Sequence, residues 1–548
     1  MQLLSSFSFF SQKQQLTLLV LIQQVAMDRN SCSIDERAAD DTKARNLILY
    51  DNSMSPCARR VRISLIEKGL SWETQNIDLS RLEQRSPRYL AINPNGLVPT
   101  LAHGCRVVWE SNTITEYLDR AFPDTIQLYP TLASERIEVK RWQNAELVMA
   151  KTFRPLMYQR VIGPIVHSSR TYNEAMRIAR LSTDDPADLE WEDKVWRVAV
   201  LTPEEQIISE RQLYEFADSV ESELQKSTSG WLVGDAFSQA EISVYPRLSM
   251  YPWIGLPLEL ARFPNTTKWM ARLAERPSFT QSLSAEIQKT IKFFQSPIFT
   301  LLRRLASKPV EKRWIFERFY VNIVGLAISW AQSSEQVEET AWKAPRTTPP
   351  NESISTPRSP ASLKMDGPVK LAVTRDSPDS SLIAAALRLR KIEYLEEKST
   401  SAPRLEIAGK VIEDSGLALD AIDLVSAPGP RLFPEDVVEE AQVRIWLAFA
   451  ASWHKEFNPL LKALTLGPTR IREDSKLNTA AHVLETRLDQ LESRLKGREW
   501  VATNAFTVAD EALKIKIEIL PRMGIQVDSR RNITTWMQRC ATVNFAFI

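Results

Sequence analysis

A chain of 548 residues is too long for one hydrophobic core, so its length predicts several domains. Its 69 basic and 68 acidic residues nearly cancel, which excludes a strong overall field for nucleic acid or for an anionic membrane surface. Four cysteines without a CxxC pair and four scattered histidines predict neither a disulfide framework nor a metal site, and they fit a reducing, cytoplasmic compartment.

Residues 1–45 are predicted to be a disordered or leader segment. Residues 1–27 carry one charge, Lys13, and the apolar run at residues 16–22 is too short to span a bilayer. The run leaves a secretory or organellar signal open, although the segment lacks a basic start and a small-x-small cleavage site. A translation start at Met27 is the other interpretation.

Residues 46–122 follow a β-α-β-β-α pattern. A buried strand at 46–50 precedes a helix at 58–68, and Gly69 is the expected stop of that helix. A strand at 72–78 and two short strands around a turn at His103-Gly104 come next. Helical spacing then continues from residue 111 to about 332. The pattern predicts an α/β domain over 46–122 and an all-α domain over 123–285.

Two further segments precede the second half of the chain. Residues 286–332 mix basic and apolar side chains at helical spacing, which predicts a basic, aromatic helical extension packed within the protein. A membrane-surface helix is the alternative that we do not favour. Residues 333–366 contain five prolines among Ser, Thr and Glu, a composition typical of a disordered linker.

The first pattern returns after the linker. Its repeat offset is 322 residues at Ser55 and Ser377, 304 at Pro99 and Pro403, and 267 at Trp269 and Trp536. The offset falls in steps, as expected for one ancestral unit that lost blocks of residues; the first lost block is 18 residues. The predicted fold class is therefore α/β plus all-α, duplicated, with the second copy over 367–425 and 426–548.

Ser55-Pro56 lies where a strand ends and a helix begins. Backbone N–H groups there are unpaired and the helix dipole favours negative charge. A serine hydroxyl at this point can donate a hydrogen bond to a thiolate, the reactive form of a thiol. The alternative is a serine that only caps the helix.

Two more motifs follow within the same domain. The extended backbone at Val98-Pro99 can pair with a peptide-like ligand, and a cis peptide at Pro99 would fix that geometry. Ser111 is expected to cap the next helix, where its hydroxyl can hold a ligand carboxylate while Glu110 holds an ammonium group. Alone, each motif also fits an ordinary turn or cap.

These motifs resemble those of soluble glutathione transferases. The matching stretches are residues 55–63, 93–101 and 110–114, with a capping box at 238–241 and a closing helix from 269 to 277. The resemblance is greatest to the serine-type tau and zeta classes and to bacterial glutathione-dependent β-etherases. It implies a thioredoxin-like domain followed by a helical domain, twice.

The resemblance also implies the chemistry of the first unit. Ser55 would stabilise the thiolate of glutathione. Val98 would pair with the cysteinyl backbone beside a cis Pro99, and Glu110 and Ser111 would bind the γ-glutamyl group. The thiolate would attack a hydrophobic electrophile in a detoxification reaction without a metal.

The same resemblance gives expectations for the second substrate, for the glycyl end of glutathione and for Cys57. The electrophile is expected against the helical domain, near Trp142, Phe153 and Tyr158. Leu97 occupies a place where the family often has lysine, so Gln84 or Arg81 is left to contact the glycyl end of glutathione. Cys57 is interpreted as a buried structural thiol.

The second unit places Ser377, Pro403, Asp414 and Ser415 at the equivalent positions. It lacks the 18 residues that would form one wall of the pocket, and Asp379 replaces Cys57 at the helix start. An acid there opposes a thiolate, so we expect this unit to be degenerate.

The open alternatives are a non-catalytic binding or scaffold protein, a β-etherase, a dehalogenase, and a thiol reductase that uses Cys57. We expect no nucleic-acid partner and no membrane contact. Related proteins dimerise through the first domain, so a homodimer and a monomer with an internal pseudo-dimer both remain open.

Overall fold

The computed structural model describes residues 47–284, 287–288, 342–345 and 367–543, except residues 94, 184–185, 375–376, 400–402, 465–470 and 472. The predictions for the leader, for nearly all of the extension 286–332 and for most of the linker lie outside the described residues. The chain divides into two compact units. Of the described residues, 47–130 and 138–345 belong to the first unit, and 131–137 and 367–543 belong to the second.

A four-stranded sheet begins the first unit. Its strand order is β2-β1-β3-β4, with β1 parallel to β2 and antiparallel to β3. The parallel pair needs a crossover, which a helix after β1 supplies. The elements are β1 (Leu47–Asp51), α1 (Pro56–Glu67), β2 (Glu73–Asn76), α2 (Pro87–Leu90), β3 (Thr100–His103), β4 (Arg106–Trp109) and α3 (Ser111–Ala121). This order confirms the predicted thioredoxin-like domain.

Helices make up the rest of the first unit. They are α4 (Ala133–Met157), α5 (Gly163–Ser169), α6 (Tyr172–Ser182), α7 (Pro186–Trp196), α8 (Pro203–Lys226), α9 (Gln239–Leu248), α10 (Pro264–Ala274) and α11 (Pro277–Gln281). Trp142, Phe153 and Trp269 are buried in one hydrophobic core with residues of α8 and α9. This core is the predicted helical domain.

Three helices, α5 to α7, lie between α4 and α8. A π-helical turn, Tyr158–Ile162, joins α4 to α5. A β-carbon at Gly163 would lie 2.8 Å from the Tyr158 carbonyl oxygen and 2.9 Å from that of Val195. Only glycine therefore allows α7 to approach the start of α5 this closely.

The second unit repeats the architecture. Its sheet has the order β6-β5-β7-β8 with the same parallel and antiparallel pairs. Only residues 400–403 connect β6 to β7. The elements are β5 (Val369–Thr374), α12 (Pro378–Leu389), β6 (Tyr394–Ser399), β7 (Arg404–Ile407), β8 (Lys410–Ile412), α13 (Ser415–Leu424), α14 (Val437–Ser452), α15 (His454–Lys462), α16 (Ser475–Leu495), α17 (Val508–Ile517) and α18 (Arg531–Thr542).

Equivalent capping boxes start the central helices α9 and α17. Ser238 and Glu241 exchange hydrogen bonds at the start of α9, and Thr507 and Asp510 do so at the start of α17. Each acid reaches further, since Glu241 accepts from the Leu232 N–H at 2.7 Å and Asp510 from the Val501 N–H at 2.9 Å. Both predicted capping boxes are confirmed.

Residues 342–345, inside the predicted linker, pack against the sheet of the first unit. Tyr50 Oη donates to the Lys343 carbonyl oxygen at 2.6 Å, and the Lys343 N–H donates to Gln75 Oε1 at 2.9 Å. The Trp342 ring lies 5.5 Å from that of Tyr50, and the Arg88 guanidinium lies 4.6 Å from the Trp342 ring centre. This part of the linker is therefore anchored.

Two further expectations, on the cysteines and on membrane-spanning helices, can be compared with the structure. Cys105 is disulfide-bonded, so the expectation that the cysteines are all free thiols is wrong for this one. Among the described residues, none of the helices has the length and apolar content needed to cross a bilayer.

Candidate functional site

Sheet register brings the three motifs of the first unit to one end of the sheet. Tyr50, near the end of β1, pairs with Thr100 at the start of β3, and Thr100 pairs with Trp109 at the end of β4. The segments that follow β1, precede β3 and follow β4 therefore start side by side. These are the segments that carry Ser55, Pro99 and Glu110.

Ser55 is the N-cap of α1. Its backbone is extended, and its Oγ accepts a hydrogen bond from the Ala58 N–H at 3.2 Å. Because the hydroxyl accepts in this bond, its proton stays available to a second partner. The capping interpretation and the thiolate interpretation of Ser55 are thus compatible.

The Val98–Pro99 peptide is cis, as the family resemblance implied. The loop before it is held by two hydrogen bonds to the Leu97 carbonyl oxygen, from Tyr89 Oη at 2.6 Å and from Asn93 Nδ2 at 2.8 Å. The Leu97 side chain points outward and is 46% exposed. Val98 itself precedes β3 and takes no part in the described ladder of that strand.

Glu110, and not Ser111, occupies the cap position before α3. Glu110 has φ of 66° and makes no side-chain cap hydrogen bond, while Ser111 is the first helical residue. The expectation that Ser111 caps the helix is wrong, because the turn after β4 reaches the helix through the positive φ of Glu110.

Glu110 is half-buried, and among the described residues no cation pairs with its carboxyl group. Asn95 Nδ2 donates to Glu110 Oε1 at 3.2 Å. Burial raises the pKa of this carboxyl, and the hydrogen bond from Asn95 opposes the rise. A ligand ammonium group would supply the positive charge that is missing beside the Glu110 carboxylate.

The Ser111 hydroxyl accepts a hydrogen bond from a buried arginine that the sequence analysis did not single out. Arg60 Nη1 donates to Ser111 Oγ at 2.9 Å, and Arg60 also donates to Asn112 Oδ1. Arg60 pairs with Glu146 of α4, which also pairs with Arg247 of α9 at 2.5 Å. The available signal was the run of arginines in α1, at Arg59, Arg60 and Arg62, all of which are buried.

Helix α7 and the segment between α5 and α6 contact the loop between β2 and α2. Arg85 Nη2 lies 3.2 Å from Asp188 Oδ1, and Arg170 Nη2 donates to Ser80 Oγ at 3.0 Å. Burial and Asp188 raise the pKa of the Glu192 carboxyl, while nearby arginines, including Arg85 and Arg170, oppose the rise. Charged and polar side chains therefore link this loop of the thioredoxin-like domain to the helical domain.

The aromatic residues expected at the second-substrate site separate into two groups. Trp142 and Phe153 are buried core residues, so that expectation is wrong for both. Tyr158 is half-buried, with its ring 5.3 Å from that of Trp191. The Arg154 guanidinium lies 5.5 Å and 5.6 Å from these two ring centres.

The residues left open for the glycyl end of glutathione also differ. Arg81 is exposed and lies 3.7 Å from Asp78. Gln84 Oε1 is a buried side-chain oxygen without a hydrogen-bond partner. Gln84 is therefore the one with an unused polar atom.

The second unit keeps the positions but changes their contacts. Ser377 caps α12 by accepting from the Ser380 N–H at 3.3 Å. Asp414 Oδ1 accepts from the Leu417 N–H at 2.8 Å, so this acid caps its own helix, which begins at Ser415. Pro403 immediately precedes β7.

A different set of charges surrounds the start of α12. His454 Nε2 lies 3.6 Å from Asp379 Oδ2. Lys516 is buried and donates to the Ala450 carbonyl oxygen at 2.8 Å. Within the described part of the chain, no group of three His, Cys, Asp or Glu side chains is placed to hold a metal ion.

Comparison with known proteins matches both units. A family model described as "Glutathione S-transferase, N-terminal domain" matches residues 54–121. A second, "Glutathione S-transferase, C-terminal domain", matches residues 191–277 and again 461–543. The second C-terminal match lies in the second unit and confirms the predicted duplication.

Individual relatives cover part of the chain. Glutathione S-transferase 1 of Dianthus caryophyllus is 36% identical over 124 residues, which are 23% of this chain and 54% of that protein. Glutathione S-transferase F10 of Arabidopsis thaliana is 30% identical over 193 residues, 34% of this chain and 74% of that protein. The crystal structure of β-etherase LigF from Sphingobium sp. strain SYK-6 has 23% identity and a TM-score of 0.40, covering 43% of this chain and 98% of that chain.

Proposed function

Since the chain belongs to the glutathione S-transferase family, we propose that its first unit binds glutathione and uses the Ser55-stabilised thiolate to attack a hydrophobic, electrophilic organic molecule. The observation that carries this proposal is the hydroxyl of Ser55. It lies at the N-terminus of α1 with its proton unused by the capping hydrogen bond. An anion at this point gains from the helix dipole and from a hydroxyl donor together.

The other contacts of glutathione follow from the neighbouring segments. The backbone N–H and C=O of Val98 are offered to the cysteinyl backbone in the manner of an added strand. The carboxylate of Glu110 takes the γ-glutamyl ammonium, and the Ser111 hydroxyl and the first N–H groups of α3 take the γ-glutamyl carboxylate. The side chain of Gln84 is the candidate for the glycyl end.

The chemical step is a substitution at carbon. The thiol proton of glutathione leaves to solvent, and the thiolate supplies the electron pair of a new carbon–sulfur bond. The bond from that carbon to its leaving group breaks, and the leaving group departs with the electron pair. Neither an oxidant nor a metal is required for this balance.

The proposed site of the electrophile lies under α6 and α7. Tyr158 and Trp191 offer aromatic surface there, and Arg154 lies against both rings. An organic molecule with an aromatic group fits such a surface.

The second unit is proposed to be degenerate. Asp414 uses its carboxylate to cap α13, and the four residues between β6 and β7 are too few to form an equivalent of α2 and its loop in the first unit. Asp379 adds a negative charge where the thiolate would lie.

The test compares the two cap serines. Ser55→Ala is expected to lower kcat/KM for conjugation of glutathione to a chromogenic aryl halide about 100-fold, since a donor to a reacting anion is lost. Ser377→Ala loses the same type of cap, at about 1 kcal/mol of stability, and is expected to leave conjugation unchanged. Equal rates for Ser55→Ala and wild type would remove Ser55 from the mechanism.

The scaffold alternative has its own outcome. A full-length chain that binds immobilised glutathione yet fails to conjugate it to a panel of aryl halides, epoxides and β-aryl ethers would support a non-catalytic binding protein. Failure to bind glutathione at all would overturn the proposal. Mass measurement in solution separates the monomer from the homodimer.

A further inference from the structure

A buried charge cluster lies beneath the first turns of α1. It consists of Arg60 on α1, Glu146 on α4 and Arg247 on α9. Arg247 Nε lies 2.5 Å from one carboxylate oxygen of Glu146, and Arg60 pairs with the other oxygen. Their side chains are 1% (Arg60), 1% (Glu146) and 7% (Arg247) exposed. Two cations thus share one anion, and the cluster carries one net positive charge.

The charge of the cluster is well maintained. Burial alone would raise the pKa of the Glu146 carboxyl, but the charges of Arg247 and Arg60 lower it. Burial opposes the charge of Arg247, yet Glu146 and Cys57 raise its pKa. The pKa shifts of Glu146 and Arg247 therefore both favour their charged forms.

Arg247 faces the part of α1 where the glutathione sulfur is proposed to lie. Its Nη2 lies 3.3 Å from Cys57 Sγ, and Cys57 is the second residue of α1, two positions after Ser55. The opposite side of the guanidinium lies 5.5 Å from the centre of the Phe153 ring.

Other ionisable groups around α1 do not cancel this charge. Arg62 pairs with Asp51, so that pair is neutral. Arg59 donates to Ser249 Oγ, to Ser282 Oγ and to the Phe279 carbonyl oxygen, and burial lowers its pKa only to about 10. The phenol of Tyr251 beside Arg247 stays neutral, because burial raises its pKa.

The second unit has a cation at the equivalent position, but the charges around it differ. At the repeat offsets, Lys516 corresponds to Arg247, Ala450 to Glu146, Leu382 to Arg60 and Asp379 to Cys57. The Lys516 ammonium lies 5.8 Å from the Phe457 ring centre, and the Arg247 guanidinium lies 5.5 Å from the equivalent Phe153. One cation and one acid remain, so the net charge there is zero.

We infer that Arg247, together with Arg60 and Glu146, supplies a buried positive charge that keeps the thiol of bound glutathione ionised, beside the hydrogen bond from Ser55. Arg247 acts through its field and not by touching the substrate, so it is a positioning residue. The inference rests on the proposed function. By Coulomb's law at an effective dielectric constant of about 20, a unit charge at a separation of about 7 Å would change the pKa of a thiol by roughly 1.7 pH units.

The test is a pH titration of the ultraviolet thiolate absorbance of glutathione bound to the full-length protein. Arg247→Met removes the charge and fills the space beside Phe153, and it is expected to raise the apparent thiol pKa by at least about one pH unit. Arg247→Gln is the second neutral variant. Both leave Glu146 paired with Arg60, which preserves the buried ion pair.

Two controls separate charge from structure. Arg247→Lys keeps the charge and reproduces the residue of the second unit, so it is expected to restore the titration to within a few tenths of a pH unit of wild type. Lys516→Met removes the equivalent cation of the second unit and is expected to leave the titration unchanged.

The outcomes also separate this inference from the proposed function. A thiolate band that titrates in both neutral variants as in wild type would overturn the role of Arg247. If Ser55→Ala shifts the band in the same experiment, the proposed function survives that result. A wild-type protein that binds glutathione without a thiolate band at neutral pH would overturn both.

Discussion

In both units a serine caps the helix that follows the first strand, Ser55 in the first unit and Ser377 in the second, and each accepts a hydrogen bond from the third residue beyond it. The neighbours of the two caps differ. Cys57 and Arg247 lie beside the first cap, whereas Asp379 follows the second and His454 approaches that acid. The local fold is retained, while the net charge around the cap falls from positive in the first unit to zero in the second.

The acids at the start of the next helix differ in the same way. Glu110 has a positive φ, and its carboxyl is held by Asn95 instead of capping α3. Asp414 has φ of −95° and caps α13 with its own carboxylate. An acid that caps its own helix is engaged, and an acid held apart from its helix remains available to a ligand.

The cap, the sheet and the capping boxes form whether or not the surrounding residues can bind a ligand. All of them are present in both units. What distinguishes the units is a small set of groups, namely the cation pair around Glu146, the loop that carries Asn95, and the position of one acid. Changing these groups should change function without changing the fold.

The largest expected effect concerns the buried cation of the second unit. Burial lowers the pKa of Lys516 to about 8, and Asp379 opposes the shift. The folded pKa thus lies below the unfolded value of about 10.4, so the unfolded state binds more protons between these values and stability rises with pH across that window. The rise is roughly 3 kcal/mol and is absent below about pH 8.

Lys516→Met should abolish this rise, as measured by urea unfolding followed by circular dichroism at several pH values. Lys514→Met is the matched control, since Lys514 lies on the same helix and pairs with Glu511 at 3.2 Å. A wild-type stability that is flat between pH 8 and 10 would contradict the buried, easily deprotonated ammonium.

The next effect grafts the second unit's acid onto the first. Cys57→Asp places a carboxylate beside Arg247 and at the start of α1, so it should neutralise the cation and oppose the thiolate. We expect a roughly 10-fold lower conjugation rate at neutral pH. Steady-state kinetics with glutathione and an aryl halide measure the change.

Cys57→Ser is the control for the graft, with a rate expected within about two-fold of wild type. The same variant decides the thiol-reductase alternative, in which Cys57 would form mixed disulfides and its loss would end turnover. Equal rates for the aspartate and serine variants would show that charge at this position does not matter.

The smallest effect concerns the support of Glu110. Asn95→Ala removes the hydrogen bond to its carboxylate, which is worth about 1.5 kcal/mol for a charged acceptor, so the KM for glutathione should rise about 10-fold with little change in kcat. Asp414→Asn, at the equivalent acid, retains a capping side chain and should leave KM unchanged. A KM that stays constant in Asn95→Ala would separate Glu110 from ligand binding.

The sequence was sufficient for features that depend on near neighbours. The β-α-β-β-α order, the cap at Ser55 and the two capping boxes all follow from short motifs. The cis bond before Pro99 was implied by the family resemblance and not by the motif alone. Residues at equivalent offsets also predicted the duplication, because block deletions leave the spacing within each block intact.

The groups that the sequence could not reveal come from distant parts of the chain. Arg60 lies 86 residues from Glu146, and Arg247 lies 101 residues beyond it. No local spacing links residues on three separate helices. The aromatic expectation failed at Trp142 and Phe153 for a related reason, since an aromatic side chain at helical spacing does not tell which face the fold will bury.

The backbone of Glu110 has a consequence for evolution of the site. A side chain at φ of 66° costs the folded state free energy that glycine would not. Glu110→Gly should therefore raise the free energy of unfolding of the first unit and remove its contact for an ammonium group. Stability is gained at the expense of ligand recognition. A copy released from selection for binding would drift toward the relaxed backbone, which is the geometry that Asp414 has adopted.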